Sequence, residues 1–442
     1  MKIILILLDG AGDRSYDFFG HKTPLQAAWT PNLDQLAALG SNGLYHPAAA
    51  GQCLPSEIAH HLLFGYEMET FPGRGLLEAR GCGAPFADHD VLAMAHLSTV
   101  KWEGNRALLL HGPEVFHQAA GDMDILYEQL ASLTPFTENG ITVNLHRKPG
   151  RNDALLILSG GASPLVSDSD PIIPGRAIAK VVPVPGRGDL DAARRTAGCL
   201  NAFLGKCAAV LKSHPVNVRR YLGHAPAANF LVTQRCGRRV PQQPFWQRYG
   251  LRGMIMAAGG IYRGLAHELG MDFRQRSDAG DPGCDLRESL RLALDDNGHE
   301  FIHVHTKLPD VAAHSGDPCR KRDVLASLDW GLDIVIEALG RRKDLLVAVT
   351  ADHSTPSISE FLIHSGEQVP LVIAGHRVRR DEVAAFDEIS AAKGCLGSLR
   401  GPELMFMLLN YADRANFVGH QLGGRVSFCV PTDYEHFLSG DM

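Results

Sequence analysis

Long apolar runs that stop at an acid or an imidazole set the pattern of this chain. Ile3 to Leu8 ends at Asp9, Phe301 to Thr306 leads to Lys307 and Asp310, and Leu345 to Thr350 leads to Asp352-His353. Continuous apolar runs of this length read as strands buried on both faces. Helical spacing predicts helices over Pro31 to Leu39, from about Ser56, and over Leu190 to Leu211. It predicts further helices over Ile261 to Leu269, Leu286 to Leu294 and Lys321 to Leu339, with a short strand at Met254 to Met256. Strands alternating with helices of crossover length predict an α/β fold, a mostly parallel sheet with helices on both faces.

Between about 89 and 185 the texture changes to short alternating runs: Val91 to Val100, Arg106 to Leu110, Ile141 to Leu145 and Ala154 to Leu158. One helical stretch, Met123 to Leu133, lies among them. Hairpins plus a helix predict a small α+β domain, residues 89–185, inserted into a core of residues 1–88 and 186–442. The Pro/Gly-rich stretch at 182–188 reads as the connection back.

A chain of 442 residues exceeds what one hydrophobic core usually supports, in keeping with two domains. The formal net charge of −6 gives no support for nucleic-acid binding, so an anionic substrate must be held by local cations or metals. The N-terminal apolar run is too short for a signal-peptide core, and no stretch reaches membrane-spanning length. Nine cysteines without a CxxC pair favour reduced thiols and a cytoplasmic enzyme.

The chemistry sits at the strand ends. In an open parallel sheet, ligands occupy the crevice beyond the carboxyl ends of the strands. Asp9, beside Gly10 and Gly12, can face a ligand there without obstruction. Asp310 and His314 are spaced one helical turn apart, and Asp352-His353 puts two ligand types at one strand end. His364 is a further candidate ligand. Ser56 fits an ordinary helix start, but the same position offers free N–H groups and the positive dipole end to an anion. A serine oxygen bound to a divalent metal loses its proton more easily and becomes a phosphoryl acceptor. Arg74, between Gly73 and Gly75, and Lys307 are candidate phosphate clamps; a surface turn and a simple ion pair are the plainer readings.

Taken in order, these segments resemble the archaeal-type, cofactor-independent phosphoglycerate mutases of the alkaline phosphatase superfamily. The matches are Asp9 to Arg14, Lys22 to Ala28, Thr30 to Asp34, Ser56 to His60, and Gly73 to Gly75 with Glu78-Ala79. They continue through Ser167 to Pro171, His214 to Asn217, Asp310 to Asp317, and Asp352 to Pro356 with His364. The resemblance implies two divalent metals, manganese or zinc or else magnesium, and a transiently phosphorylated Ser56. It implies one metal on Asp310, His314 and His364 and the other on Asp9, Ser56, Asp352 and His353. Two cations roughly 4 Å apart can clamp the attacking and leaving oxygens of an in-line transfer. The implied reaction interconverts 3- and 2-phosphoglycerate, with the inserted domain as lid.

The recognition residues depart from the family. Met94-Ala95-His96 stands where the family carries Arg-x-Asn, and Gly112 to His117 stands where an arginine-rich DRRAGR segment is expected. Asp153 replaces an arginine, Ser289 falls near an expected lysine, and the order around Gln234 to Gly237 is changed. Each charge-assisted hydrogen bond contributes on the order of 1.5–3 kcal/mol, so such losses need compensation or a different substrate. Arg14, Arg74, His96, Arg220, Arg235 and Lys307 remain as substrate-binding candidates. A metal-dependent phosphohydrolase is therefore the alternative to a mutase, and a catalytically silent metal-binding protein is a third reading.

Overall fold

The computed structural model describes residues 1–147, 152–186, 188–278, 280–360, 363–424, 427–431 and 434–441. It divides into two compact units, Met1–Phe71 with Gln242–Met442, and Pro72–Pro241. In chain order, β1 (Lys2–Leu8) and β2 (Gly40–His46) belong to the first unit. The second unit holds β3 (Val91–Glu103), β4 (Arg106–His111), β5 (Phe136–Glu138), β6 (Ile141–Arg147), β7 (Asp153–Ser159) and β8 (Phe230–Arg238). The chain then returns to the first unit with β9 (Gly253–Ala257), β10 (Asp272–Gln275), β11 (Phe301–Thr306), β12 (Leu345–Thr350), β13 (Val369–Gly375) and β14 (Gly397–Arg400).

The first unit is built on an eight-stranded sheet ordered β10-β9-β11-β1-β12-β13-β2-β14. Pairing is parallel except where β13 runs against β12 and β2. The three apolar runs form its centre: β1 lies between β11 and β12, and every residue of the three is buried. Register places Leu8 opposite Thr306 and Leu7 opposite Thr350. The three carboxyl ends are therefore level, and the residues just past each strand are delivered to one edge of the sheet.

The second unit carries a smaller antiparallel sheet, β4-β3-β7-β6-β5, with β8 paired to the other side of β3. Its core joins Val91, Leu97, Val143, Leu156 and Leu158 to Leu200, Phe203 and Leu211 of the helix Leu190–Ser213.

That core corrects the expected domain boundary. The insertion spans Pro72–Pro241 rather than 89–185, because the long helix and β8 complete this sheet and its apolar face. The stretch at 182–188 is thus internal to the second unit, and its Arg187 lies outside the described residues. The helix expected over Lys321 to Leu339 is two, Pro318–Trp330 and Asp333–Arg341, divided at Gly331 and Leu332. Among the described residues, no helix is long and apolar enough to cross a membrane.

Candidate metal centre

Three buried carboxylates meet at the level strand ends of the first unit. Asp9 follows β1, Asp310 lies in the helix Leu308–His314 just after β11, and Asp352 follows β12. Gly10 turns the chain away with φ of +65°, and a Cβ there would lie 2.6 Å from Thr355 Oγ1. Only glycine tolerates both that backbone and that approach. Ser56 is the first residue of the helix Ser56–Leu63, with Pro55 in the cap position, so its hydroxyl is free of capping duty.

Two sets of ligand atoms lie within 4.8 Å of one another: Asp310, His353 and His364, and Asp9, Asp352 and His353. His353 is common to both. The His353 and His364 rings stack with centroids 3.8 Å apart. His314 stands at the more open side, its Nε2 3.3 Å from Asp310 Oδ1. Ser56 Oγ lies 3.1 Å from His353 Nε2 and 3.2 Å from the Lys307 ammonium. Lys307 Nζ also reaches Asp310 Oδ2 at 3.1 Å and Asp9 Oδ2 at 3.3 Å. All seven expected metal ligands and Lys307 are thereby gathered in one place.

The donor set suits divalent cations. Asp9 Oδ1 and Asp352 Oδ2 are buried and accept no hydrogen bond, an arrangement that costs free energy unless a cation faces them. Burial, and then the neighbouring Asp9 charge, pushes the Asp352 carboxyl well above its usual range. Burial opposes ionisation of Asp9 and Asp310 as well. Lys307 and the His305 hydrogen bond outweigh it at Asp9, and hydrogen bonds from His314 and His364 outweigh it at Asp310. Burial lowers His353 to about 3, so its ring is neutral. Its Nδ1 lies 3.1 Å from Thr355 Oγ1, which donates to Asp310 Oδ1 at 2.8 Å. This relay assigns the proton to Nδ1 and turns the Nε2 lone pair toward Ser56 and the carboxylates.

Several contributors carried no signal as site residues in the sequence. His305 Nε2 and the Tyr262 hydroxyl donate to Asp9 Oδ2 at 2.9 and 3.1 Å. His60, packed beneath, donates from Nδ1 to the Ser56 carbonyl at 2.7 Å. His305 was visible only as an inward position of an apolar strand; Tyr262 lies on a helix with no motif around it.

The substrate-binding candidates fall in both units. In the first, Arg14 Nε donates to Glu367 at 3.1 Å on an exposed surface. In the second, Arg74 approaches Glu78 at 3.6 Å and His96 pairs with Asp170 at 3.1 Å. Arg220 is bound to Asp122 at 2.9 Å and to the Pro226 carbonyl at 2.8 Å. Arg235 has φ of 56°, and its N–H donates to Asp168 at 2.6 Å.

Residues 1–411 match the model of the Metalloenzyme superfamily. Over 98% of its length the chain is 37% identical to 2,3-bisphosphoglycerate-independent phosphoglycerate mutase 2 of Methanocaldococcus jannaschii, covering 99% of that protein. It belongs to that mutase family. The Methanopyrus kandleri member is 35% identical over 95% of this chain and 98% of its own. Solved structures agree. A Pyrococcus horikoshii protein superposes with a TM-score of 0.73 at 27% identity, over 95% of this chain and 99% of that one. The cofactor-independent phosphoglycerate mutase of Thermoplasma acidophilum gives 0.60 at 27% identity, over 93% and 100%. Membership makes the chain a divalent-metal-dependent phosphoryl-transfer mutase of α/β fold.

Proposed function

We propose that the chain interconverts 3- and 2-phosphoglycerate in the cytoplasm, with the phosphoryl group carried in transit on Ser56 Oγ. The observation that supports this most is the setting of Ser56. Its hydroxyl opens a helix, touches Lys307 and His353, and lies among three buried carboxylates. As Ser56 Oγ bonds to phosphorus, the bond from phosphorus to the donor hydroxyl oxygen breaks. Transfer from Ser56 to the other hydroxyl of the glycerate completes the exchange, and the proton given up by one oxygen is returned to the other. The Lys307 ammonium offsets charge on Ser56 Oγ, and the first-turn N–H groups of the helix favour the anionic phosphoryl group.

Asp310, His314 and His364 would hold one cation, and Asp9, Ser56, Asp352 and His353 the other. When bound, two divalent cations supply Lewis-acid stabilisation of phosphoryl oxygens and favour the ionised serine. The mixed nitrogen and oxygen donors suit manganese or zinc better than magnesium. Arg74 and Lys307 are assigned to the transferring phosphate, and Arg14, His96, Arg220 and Arg235 to the rest of the substrate.

A second reading, a phosphohydrolase on another phosphorylated small molecule, draws on the second unit. There Arg220 is already engaged by Asp122, and His96 by Asp170. Assay of 3-phosphoglycerate isomerisation beside phosphate release from an aryl phosphate, with manganese or zinc, separates the two. Isomerisation without release supports the mutase, and release alone supports the hydrolase. Ser56→Ala is expected to lower either activity at least ~1,000-fold with metal content largely kept. An active Ser56→Ala enzyme would overturn the nucleophile, and intact mass of a phosphorylated peptide spanning Ser56 checks it directly.

A further inference from the structure

The two oxygens of Asp9 have opposite surroundings. Oδ2 receives three donors, the Tyr262 hydroxyl at 3.1 Å, His305 Nε2 at 2.9 Å and Lys307 Nζ at 3.3 Å. Oδ1 is buried and receives none. The donors come from separate elements, Tyr262 from the helix Gly260–Leu269, His305 from within β11 and Lys307 from just after it. Tyr262 and His305 also brace each other, with ring centroids 4.2 Å apart. Both side chains are buried, so neither reaches the carboxylate as a mobile surface group.

Asp352 shows the same division by other means. Its Oδ1 accepts the backbone N–H groups of Gly10 and His353, each at 3.1 Å, while its buried Oδ2 accepts none. In Asp352 the main chain makes the division. In Asp9 side chains make it, so there it can be altered without moving the backbone.

We propose that Tyr262 and His305 are positioning residues that occupy one oxygen of Asp9 and reserve the other for a single bond to a divalent cation. An unconstrained carboxylate can bind through both oxygens and fill two coordination positions. Saturating Oδ2 with side-chain donors would hold Asp9 to one bond and leave a position open for a substrate oxygen. Lys307 alone would not serve, because its ammonium is shared with Asp310 and Ser56. The inference rests on the ligand roles assigned above and not on the choice of substrate.

Manganese(II) titrated into the chelator-stripped full chain, followed by calorimetry, tests it. The parent chain is expected to take up two ions in two resolvable steps. Tyr262→Phe, which removes one hydroxyl and keeps the ring, is expected to weaken one step about 10–100-fold and leave the other unchanged. The unfolding midpoint of the stripped protein should fall no further than the loss of one buried hydrogen bond allows. His305→Leu should weaken the same step, and His305→Gln, which keeps a nitrogen donor, should recover part of the loss. Equal weakening of both steps, or none, overturns the inference while the metal ligands stand. A parent chain that takes up no manganese overturns the ligand assignment and the inference together.

Discussion

At the scale of single residues, buried polar groups here have their partners chosen for them. The Thr355 hydroxyl fixes the His353 tautomer at the metal centre, and elsewhere in the first unit the Glu388 carboxyl has its own assigned donors. Glu388 accepts the Thr23 hydroxyl at 2.8 Å and the Asp13 N–H at 3.1 Å, and burial pushes its carboxyl up to about 7. The folded chain thus keeps a proton that the unfolded chain releases near the usual carboxylate value. Stability should fall as pH rises from about 4.5 through about 7. Glu388→Gln is expected to flatten that part of the curve, read as urea midpoint against pH; an unchanged slope would assign the pH dependence elsewhere. At this scale the sequence was partly legible. Asp9 and Asp352 stood at the ends of apolar runs, where a charge has no packing reason to be. Tyr262 and Glu388 act across long separations in sequence, and no local pattern records such contacts.

At the scale of elements, the loops after β1 and β12 are tied together by one buried cation. Lys321 Nζ donates to the Gly12 and Thr355 carbonyls, each at 2.8 Å, and to Asp13 Oδ2 at 3.1 Å. Lys321→Met leaves Asp13 charged and buried, and should cost about 3–5 kcal/mol, measured by denaturant unfolding. A cost under about 1 kcal/mol would show the loops are held without it. The central strands β1 and β12 were readable because both faces are apolar. β2, with the sequence Gly-Ser-Asn-Gly-Leu-Tyr-His, was not. Its glycines suggest a turn, yet they are needed for close packing: a Cβ on Gly40 would lie 2.5 Å from the Ile373 carbonyl, and one on Gly43 2.5 Å from that of Gly397.

At the scale of the whole molecule, every proposed metal ligand comes from the first unit, while the second has its own core. Stripping metal with a chelator should therefore speed hydrogen exchange in β1, β11 and β12 and leave β3, β6 and β7 as they were. Equal acceleration in both units would show that the second also depends on metal. The insertion itself was legible in the change from long apolar runs to short alternating ones. Its extent was not, because the helix Leu190–Ser213 has the same amphipathic period whichever core it covers.

Inserting one unit within the other also sets a schedule for biosynthesis. Asp9 and Ser56 leave the ribosome long before Asp310, Asp352 and His364. At roughly 5–20 residues per second, Asp9 waits ~20–70 s for its last co-ligand. The nascent chain must pass that interval with half a chelate and a finished neighbour. The full set of ligands thus exists only once the chain has been made through His364.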